Sequence, residues 1–219
     1  MLVTELFIIG KTTVPSSWGA LIVAFVVAYA TIRIRYGKKI AGLLVDAIFY
    51  FVLVWKLSVI LTDFVSVIKS PLSIIYFNGG LVGFYLGLFA AGARILIETK
   101  RNKLSRIDRL ALFVGLVTIQ AVYQVMMVFL NEGALVAQVI TVSFFTLFAI
   151  FVWIIVGKPN TQPVQLAYLF IALHFFVATL QPAGVFGTSS VLATFFIGLF
   201  FVVFLFKGPG MYLESEGPK

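Results

Sequence analysis

Long apolar runs separated by short polar breaks make up the hydropathy pattern of this chain. A helix needs about 20 mostly apolar residues to cross the hydrocarbon core of a bilayer. Seven stretches qualify, and charged or Gly/Pro-containing turns separate them. The pattern therefore predicts seven transmembrane helices, over about residues 18–34, 40–62, 72–97, 110–130, 134–156, 164–180 and 190–206.

The composition favours lipid as the solvent. Of the 219 residues, 62% are hydrophobic and only 11% are charged, whereas ordinary globular chains have about 45–50% and about 25%. A soluble protein of this size has too little interior to bury so much apolar surface. The predicted fold class is an all-α, polytopic integral membrane protein, with residues 1–219 forming a single transmembrane domain and no soluble domain.

Lysine and arginine are distributed unequally among the connections, which predicts the orientation. The first and third connections hold most of them: Arg33, Arg35, Lys38, Lys39, Arg94, Lys100, Arg101, Lys103, Arg106 and Arg109. The opposite side holds only Lys11 and Lys69. The positive-inside rule then predicts an N-terminus outside, a C-terminus in the cytoplasm and a multi-pass protein of the cytoplasmic membrane. The basic connections either signal topology alone or also attract anionic lipid headgroups.

Polar side chains inside the predicted spans are the first candidates for function, because they are costly at membrane depth and usually face the bundle interior. Gln120 and Gln124 share one face of the fourth span, and His174 and Gln181 share one face of the sixth. They either line a polar cavity or form interhelical hydrogen bonds, which contribute about 0.6 kcal/mol each. His174 is either a satisfied interior histidine or a catalytic group.

Lys56 is expected to lie deep in the second span. It snorkels to the interface, pairs with Asp63 or Asp46, or meets an anionic ligand. With one histidine, no cysteine and scattered carboxylates, the chain lacks a metal-ligand set. We therefore predict no metal and no cofactor. Nucleic acid is not an expected partner either, because no basic domain stands apart from the membrane.

The third predicted span carries an unusual Asn78-Gly79-Gly80 sequence. Gly80, Gly83 and Gly87 are predicted to form a small-residue face that another backbone or a lipid chain can approach closely.

The stretch around this tripeptide resembles the prolipoprotein diacylglyceryl transferase family. In that family a span ends near an arginine within Gly-Gly-Arg-Ile-Gly, a short outer turn with Asn-Pro or Asp-Pro follows, and His-Gly-Gly-Leu opens the next span. Here Lys56 falls where that arginine stands, Ser70-Pro71 at the turn, and Asn78-Gly79-Gly80-Leu81 at the signature.

Weaker similarities follow in the same order along nearly the whole chain. Trp18-Gly19 looks like the family's early Tyr-Gly pair. The stretch from Gln120 to Gly133, which ends in Asn131-Glu132-Gly133, looks like the Gly-Arg-x-Gly-Asn-Phe-x-Asn-Gly-Glu signature. Val136-Ala137-Gln138 looks like the Pro-Ser-Gln-Leu-Tyr-Glu segment, and His174 falls near a later membrane arginine.

The departures from the family bear on its reaction, which moves a diacylglyceryl group from phosphatidylglycerol to a lipoprotein cysteine. A base must deprotonate the thiol, and arginines must stabilise the departing glycerol phosphate. This sequence has Asn78 in place of the histidine, and Tyr123 and Gln124 where the fourth span should carry an arginine. Asparagine is no base at neutral pH, and lysine lacks the bidentate fork of arginine.

The resemblance therefore implies a lipid-binding, catalytically impaired relative. Its partners would be a membrane phospholipid, expected to be anionic, and a lipoprotein precursor or another membrane protein. The candidate lipid-binding residues are Lys56, Asn78, Gly79, Gly80, Gln120, Gln124 and His174. Asn78, His174 and Glu132 are the candidates for a catalytic role. The alternatives are an active, diverged phosphatidylglycerol-dependent transferase, or a transporter of a small polar solute along Asn78, Gln120, Gln124 and His174.

Overall fold

The fold is a set of apolar helices preceded by a short β-hairpin. The structure is a computed structural model that describes residues 5–9, 12–70, 74, 78–158, 161–181, 184–186 and 189–206. Within these ranges, six helical stretches are long and apolar enough to cross a membrane, and a further apolar helix, Pro163–Thr179, is shorter. The described residues thus confirm an all-α, multi-pass membrane protein.

The elements follow one another with short connections. Strands β1 (Leu6–Ile9) and β2 (Thr12–Pro15) pair antiparallel, with Leu6 opposite Pro15. The described helices are α1 (Ser16–Tyr36), α2 (Lys38–Leu57), α3 (Val59–Thr62), α4 (Phe64–Lys69), α5 (Gly80–Asn102), α6 (Arg106–Leu130), α7 (Leu135–Ile155), α8 (Pro163–Thr179) and α9 (Ser189–Phe200). A π-helical turn, Phe201–Phe206, continues α9.

The predicted second span, residues 40–62, matches the apolar helical stretch Lys38–Thr62, which has a short break, whereas the helix of the third span lies further along the chain than predicted. Helix α2 ends at Leu57, and α3 begins only after Ser58, whose hydroxyl donates a hydrogen bond of 2.7 Å to the Trp55 carbonyl. Helix α5 begins at Gly80, because Asn78 and Gly79 are not helical, and it runs on to Asn102. The predicted start of the third span at residue 72 and the proline of the Ser70-Pro71 turn lie outside the described residues.

Two compact units make up the chain. Unit 1 comprises Met1–Ile40 and Leu104–Lys219, and unit 2 comprises Ala41–Lys103. The candidate residues are therefore divided between two units, and each unit is considered by itself.

Unit 1 is organised by a stripe of mostly small residues on α1. Five positions spaced four apart are fully buried: Ser16, Ala20, Ala24, Ala28 and Ile32. Residues at this spacing lie on one helix face, and small side chains let two membrane helices approach closely. This face packs along α6, the helix with the largest set of buried residues in the unit.

Charged residues lie at the end of unit 1 where α1 ends and α6 begins. The Arg35 guanidinium lies 4.5 Å from the centre of the Trp153 ring and donates hydrogen bonds to the carbonyls of Trp153 and Val156 at the end of α7. Ser105 and Asp108 form a capping box that starts α6. A positive charge at a helix C-terminus and an acid at an N-terminus both stabilise the helix dipole.

Unit 2 contains an ion cluster between α2 and α5. The Arg94 guanidinium contacts Asp46 on α2 and Glu98 one turn further along α5, at 2.7 Å each. The sequence analysis did not predict these ion pairs, because it counted Arg94 among the basic residues of the third connection.

Candidate functional site

Lys56 lies in the last turn of α2, six residues before the end of the apolar helical stretch Lys38–Thr62. At about 1.5 Å per residue, the helix from Lys38 to Lys56 is about 27 Å long, close to the thickness of a hydrocarbon core of about 30 Å. Lys38 and Lys56 therefore lie at opposite ends of one membrane-length helix. The Lys56 side chain is half-buried, and its positive charge is favourable near the C-terminus of α2.

The two carboxylates considered as partners for Lys56 bind other groups. Asp46 pairs with Arg94, and the Asp63 side chain accepts a hydrogen bond of 3.4 Å from the Ser66 backbone N–H at the start of α4. Asp63 is thus the N-cap of α4.

Asn78 forms a tight turn that starts α5. Its side-chain oxygen accepts a hydrogen bond of 2.9 Å from the Gly80 backbone N–H. Gly80 has a positive φ of 57°, a conformation that side chains rarely adopt. Short asparagine side chains are well suited to bond the backbone two residues on. The Asn-Gly-Gly sequence is therefore explained by its local structure, because it forms the turn that leads into α5.

This turn is bonded directly to the end of α2. The Gly79 N–H donates to the Trp55 carbonyl, and the Trp55 indole N–H donates to the Gly80 carbonyl, both at 3.2 Å. The start of α5 therefore lies beside the last turn of α2. Hereafter the Trp55 corner means Trp55, Lys56, Ser58, Asn78, Gly79 and Gly80.

Three glycines let α5 and the residue before it pack tightly against α2 and Ser58. Two of them, Gly83 and Gly87, belong to the predicted small-residue face, and the third is Gly79 instead of Gly80. A Cβ atom on Gly79 or Gly83 would lie 1.9 or 2.0 Å from Ser58 Oγ, and one on Gly87 would lie 2.7 Å from the Phe51 carbonyl oxygen. Gly80 is not on this face, because its positive φ turns the backbone, and a Cβ there would meet no atom within 4 Å. Gly79 is therefore a packing residue, whereas Gly80 borders open space.

A second polar site lies in unit 1, where four side chains join α6, α8 and α9. We call Gln124, His174, Ser190 and Thr194 the Gln124 cluster. The Gln124 amide nitrogen is 3.2 Å from His174 Nε2 and 3.3 Å from Ser190 Oγ, and His174 Nδ1 is 2.8 Å from Thr194 Oγ1. Gln124 and His174 are both 0% exposed. The Phe145 ring meets the imidazole edge-to-face, with 5.0 Å between ring centres.

The Gln124 cluster holds helices together and does not resemble an acid–base site. Both imidazole nitrogens contact neutral side chains, and a general base must reach the proton that it removes. At this site two buried atoms have no hydrogen-bond partner among the described residues: the Gln124 side-chain oxygen and the amide nitrogen of Gln120, one turn away. Rotating the Gln124 amide by 180° would leave its nitrogen unpaired instead. Such a buried atom costs about 1–3 kcal/mol.

A third set of hydrogen bonds fastens the other end of unit 1. The Asn131 side-chain oxygen accepts from the Glu5 N–H at 3.2 Å and from the Ser16 hydroxyl at 2.8 Å, and the amide nitrogen donates to the Met127 carbonyl at 3.0 Å. Asn131 stands just after α6, so it ties the N-terminal segment to that helix. Glu132, the last catalytic candidate, is exposed in the following turn.

The structure thus gathers Lys56, Asn78, Gly79 and Gly80 at one end of unit 2, and it joins Gln124 to His174 within unit 1. No three His, Asp or Glu side chains come together as metal ligands would, as far as the described ranges extend. Comparison of the chain with protein-family models, with curated proteins and with solved structures finds no match.

Proposed function

We propose that this chain is a phospholipid-binding membrane protein related to the prolipoprotein diacylglyceryl transferases, with the transfer chemistry impaired. The observation that carries the proposal is the Trp55 corner. The segment with the most specific resemblance to that family, Asn78-Gly79-Gly80, is hydrogen-bonded to Trp55, the neighbour of Lys56 in sequence. A lipid site at this corner would therefore include both Lys56 and the Asn78 turn.

The chemistry of the corner suits an anionic headgroup. We place the Lys56 ammonium at interface depth, where one basic residue near a membrane surface contributes about 1 kcal/mol of attraction for anionic lipid. Trp55 supplies an indole at the same level, a side chain that membrane interfaces favour. Gly80 is exposed and has open space beside it, which leaves room for a headgroup.

The surroundings of the catalytic candidates support the proposal that the transfer chemistry is impaired. The Asn78 amide accepts the Gly80 N–H and offers no basic group. His174 is fully enclosed in the Gln124 cluster, away from water and lipid. A positioned base typically contributes about 100- to 10,000-fold to a rate, so its loss favours binding without transfer.

The topology belongs to the same proposal. Helix α8 has 17 residues, and at about 26 Å it is long enough to act as a seventh span with slight bilayer thinning. Seven spans put the N-terminus outside and the C-terminus in the cytoplasm of the cytoplasmic membrane. A reporter fused after Gly208 should read cytoplasmic and one inserted at Gly133 external; the reverse pattern would contradict this orientation.

Native mass spectrometry of the purified protein tests the lipid proposal. Lys56→Met should lower bound phosphatidylglycerol about fivefold relative to phosphatidylethanolamine, the equivalent of about 1 kcal/mol. Lys69→Met is the matched control, because Lys69 ends α4 and is exposed, and it should change the ratio little. An unchanged ratio in Lys56→Met would overturn the proposed site.

A further inference from the structure

The β-hairpin formed by β1 and β2 exposes apolar side chains, although it is not part of a membrane-spanning helix. Leu6, Phe7 and Ile8 are 58%, 43% and 80% exposed. Fully burying a side chain of this size is worth about 1.5–3 kcal/mol. An isolated two-stranded hairpin is at best marginally stable in water. The hairpin therefore needs an apolar environment on its exposed side.

The hairpin is nevertheless fixed to unit 1. Helix α1 begins at Ser16, directly after Pro15 of β2, with no linker between them. The Ser16 N–H donates to the Glu5 carbonyl at 3.1 Å, and the buried Asn131 side chain bonds both the Glu5 N–H and the Ser16 hydroxyl. The base of the hairpin is thus held at the level where α1 begins and α6 ends.

Other apolar residues are exposed at this same end of the unit. Phe129 lies in the last turn of α6, and Leu135 and Val136 lie in the first turn of α7. Both helices are apolar enough to cross a membrane, so lipid covers these side chains. Glu132, in the turn between them, marks the level of the polar headgroups. The hairpin starts at this boundary, and its four-residue strands extend about 14 Å at most.

We propose that the hairpin is an interfacial membrane anchor, with Leu6 and Ile8, which share one face of β1, inserted at the boundary between headgroups and acyl chains on the N-terminal side of α1. The surface of the bilayer that covers Phe129 and Leu135 then continues over the hairpin. Insertion of this kind reaches about 5–10 Å into the boundary region. This inference does not depend on the lipid site at the Trp55 corner.

Spin-label accessibility tests the anchor, and the absence of cysteine from the chain allows single labels without background. A nitroxide on Ile8→Cys is compared, in nanodiscs, with Glu132→Cys as a reference exposed in a turn and Val26→Cys as a reference on the exposed face of α1. Collisions with oxygen relative to a water-soluble nickel chelate report depth. The Ile8 label should give a ratio between the two references, several-fold above that of Glu132.

Two results would overturn the anchor. A ratio no higher than that of Glu132 would put the hairpin outside the acyl-chain boundary, at the level of the polar turn or beyond it. Protection from both oxygen and nickel would mean that protein, such as a second copy of the chain, covers it. Leu6→Cys provides a second label on the same strand, so that a perturbation by one substitution does not decide the outcome.

Discussion

The polar residues of the two units have different surroundings. In unit 1, Gln124, His174 and Thr141 are fully buried, and the side chains of Gln124 and His174 bond directly across helices. In unit 2, Lys56 and Asn78 stand half-buried at helix ends. The buried side chains of unit 1 join different helices, whereas the Asn78 side chain accepts a hydrogen bond from the backbone of its own turn. Of the alternatives that the sequence left open, a polar cavity or interhelical bonding, the contacts of Gln124 and His174 favour interhelical bonding.

The largest expected effect is that of His174→Ala. The substitution removes a fully buried ring and the side chain that Gln124 and Thr194 both contact, so the free energy of unfolding should fall by about 2–4 kcal/mol. Unfolding in mixed detergent micelles would measure this loss. Thr194→Val removes only a hydroxyl and should cost about 0.6 kcal/mol. A stable His174→Ala protein that loses its bound lipid would break the comparison.

The next effect concerns the contact of α5 with α2. Gly87→Ala puts a Cβ 2.7 Å from the Phe51 carbonyl oxygen, which belongs to a helix backbone and cannot move aside. We expect a loss of about 1–3 kcal/mol in the free energy of unfolding. Gly42→Ala on α2 is the control, because its Cβ meets no atom within 4 Å. It should be neutral or stabilising by about 0.5–1 kcal/mol, and equal effects of both substitutions would contradict the tight packing.

A smaller effect is expected at Asn78. Asn78→Ala removes the bond to the Gly80 N–H and should cost about 1 kcal/mol, as for a lost helix cap, whereas Asn78→Asp keeps an acceptor and should cost less. Thermal unfolding of the three proteins would rank them. Equal stability of all three would mean that the turn does not depend on the side chain.

No effect on catalysis is expected from Asn78→His. The side chain would gain a base, but no arginine would stand in the fourth span, and the substitution should not create diacylglyceryl transfer to a lipoprotein peptide. An assay with phosphatidylglycerol and a cysteine-containing peptide would measure the transfer. Robust transfer by the unsubstituted protein, or rescue of a strain depleted of the authentic transferase, would contradict the proposal that its transfer chemistry is impaired.

Some features of the fold could be predicted because the signal was local. The apolar runs gave most helices, and Pro15 and the Ser105–Asp108 capping box mark the starts of α1 and α6. The four-residue spacing of Ser16, Ala20 and Ala24 also indicates a packing face, although the sequence analysis did not predict it. These patterns depend on residues within a few turns of each other.

Other features depend on tertiary packing and could not be predicted. The apolar residues after Ser58 concealed the break between α2 and α3. The positive φ of Gly80 moved the packing face from Gly80 to Gly79. The pairing of Gln124 with His174, and that of Asp46 with Arg94, join residues far apart in sequence. Periodicity tells which face a residue shares, but not which helix that face meets.

The central claim is that the Trp55 corner binds an anionic headgroup, and headgroup crosslinking tests it most directly. A phosphatidylglycerol with a photoreactive diazirine in its headgroup is irradiated with the protein in nanodiscs, and the labelled peptides are mapped. We predict labels concentrated at residues 55–58 and 78–81, and their loss in Lys56→Met but not in Lys69→Met. Labels confined to the basic connection around residues 100–109, or unchanged by Lys56→Met, would contradict the account.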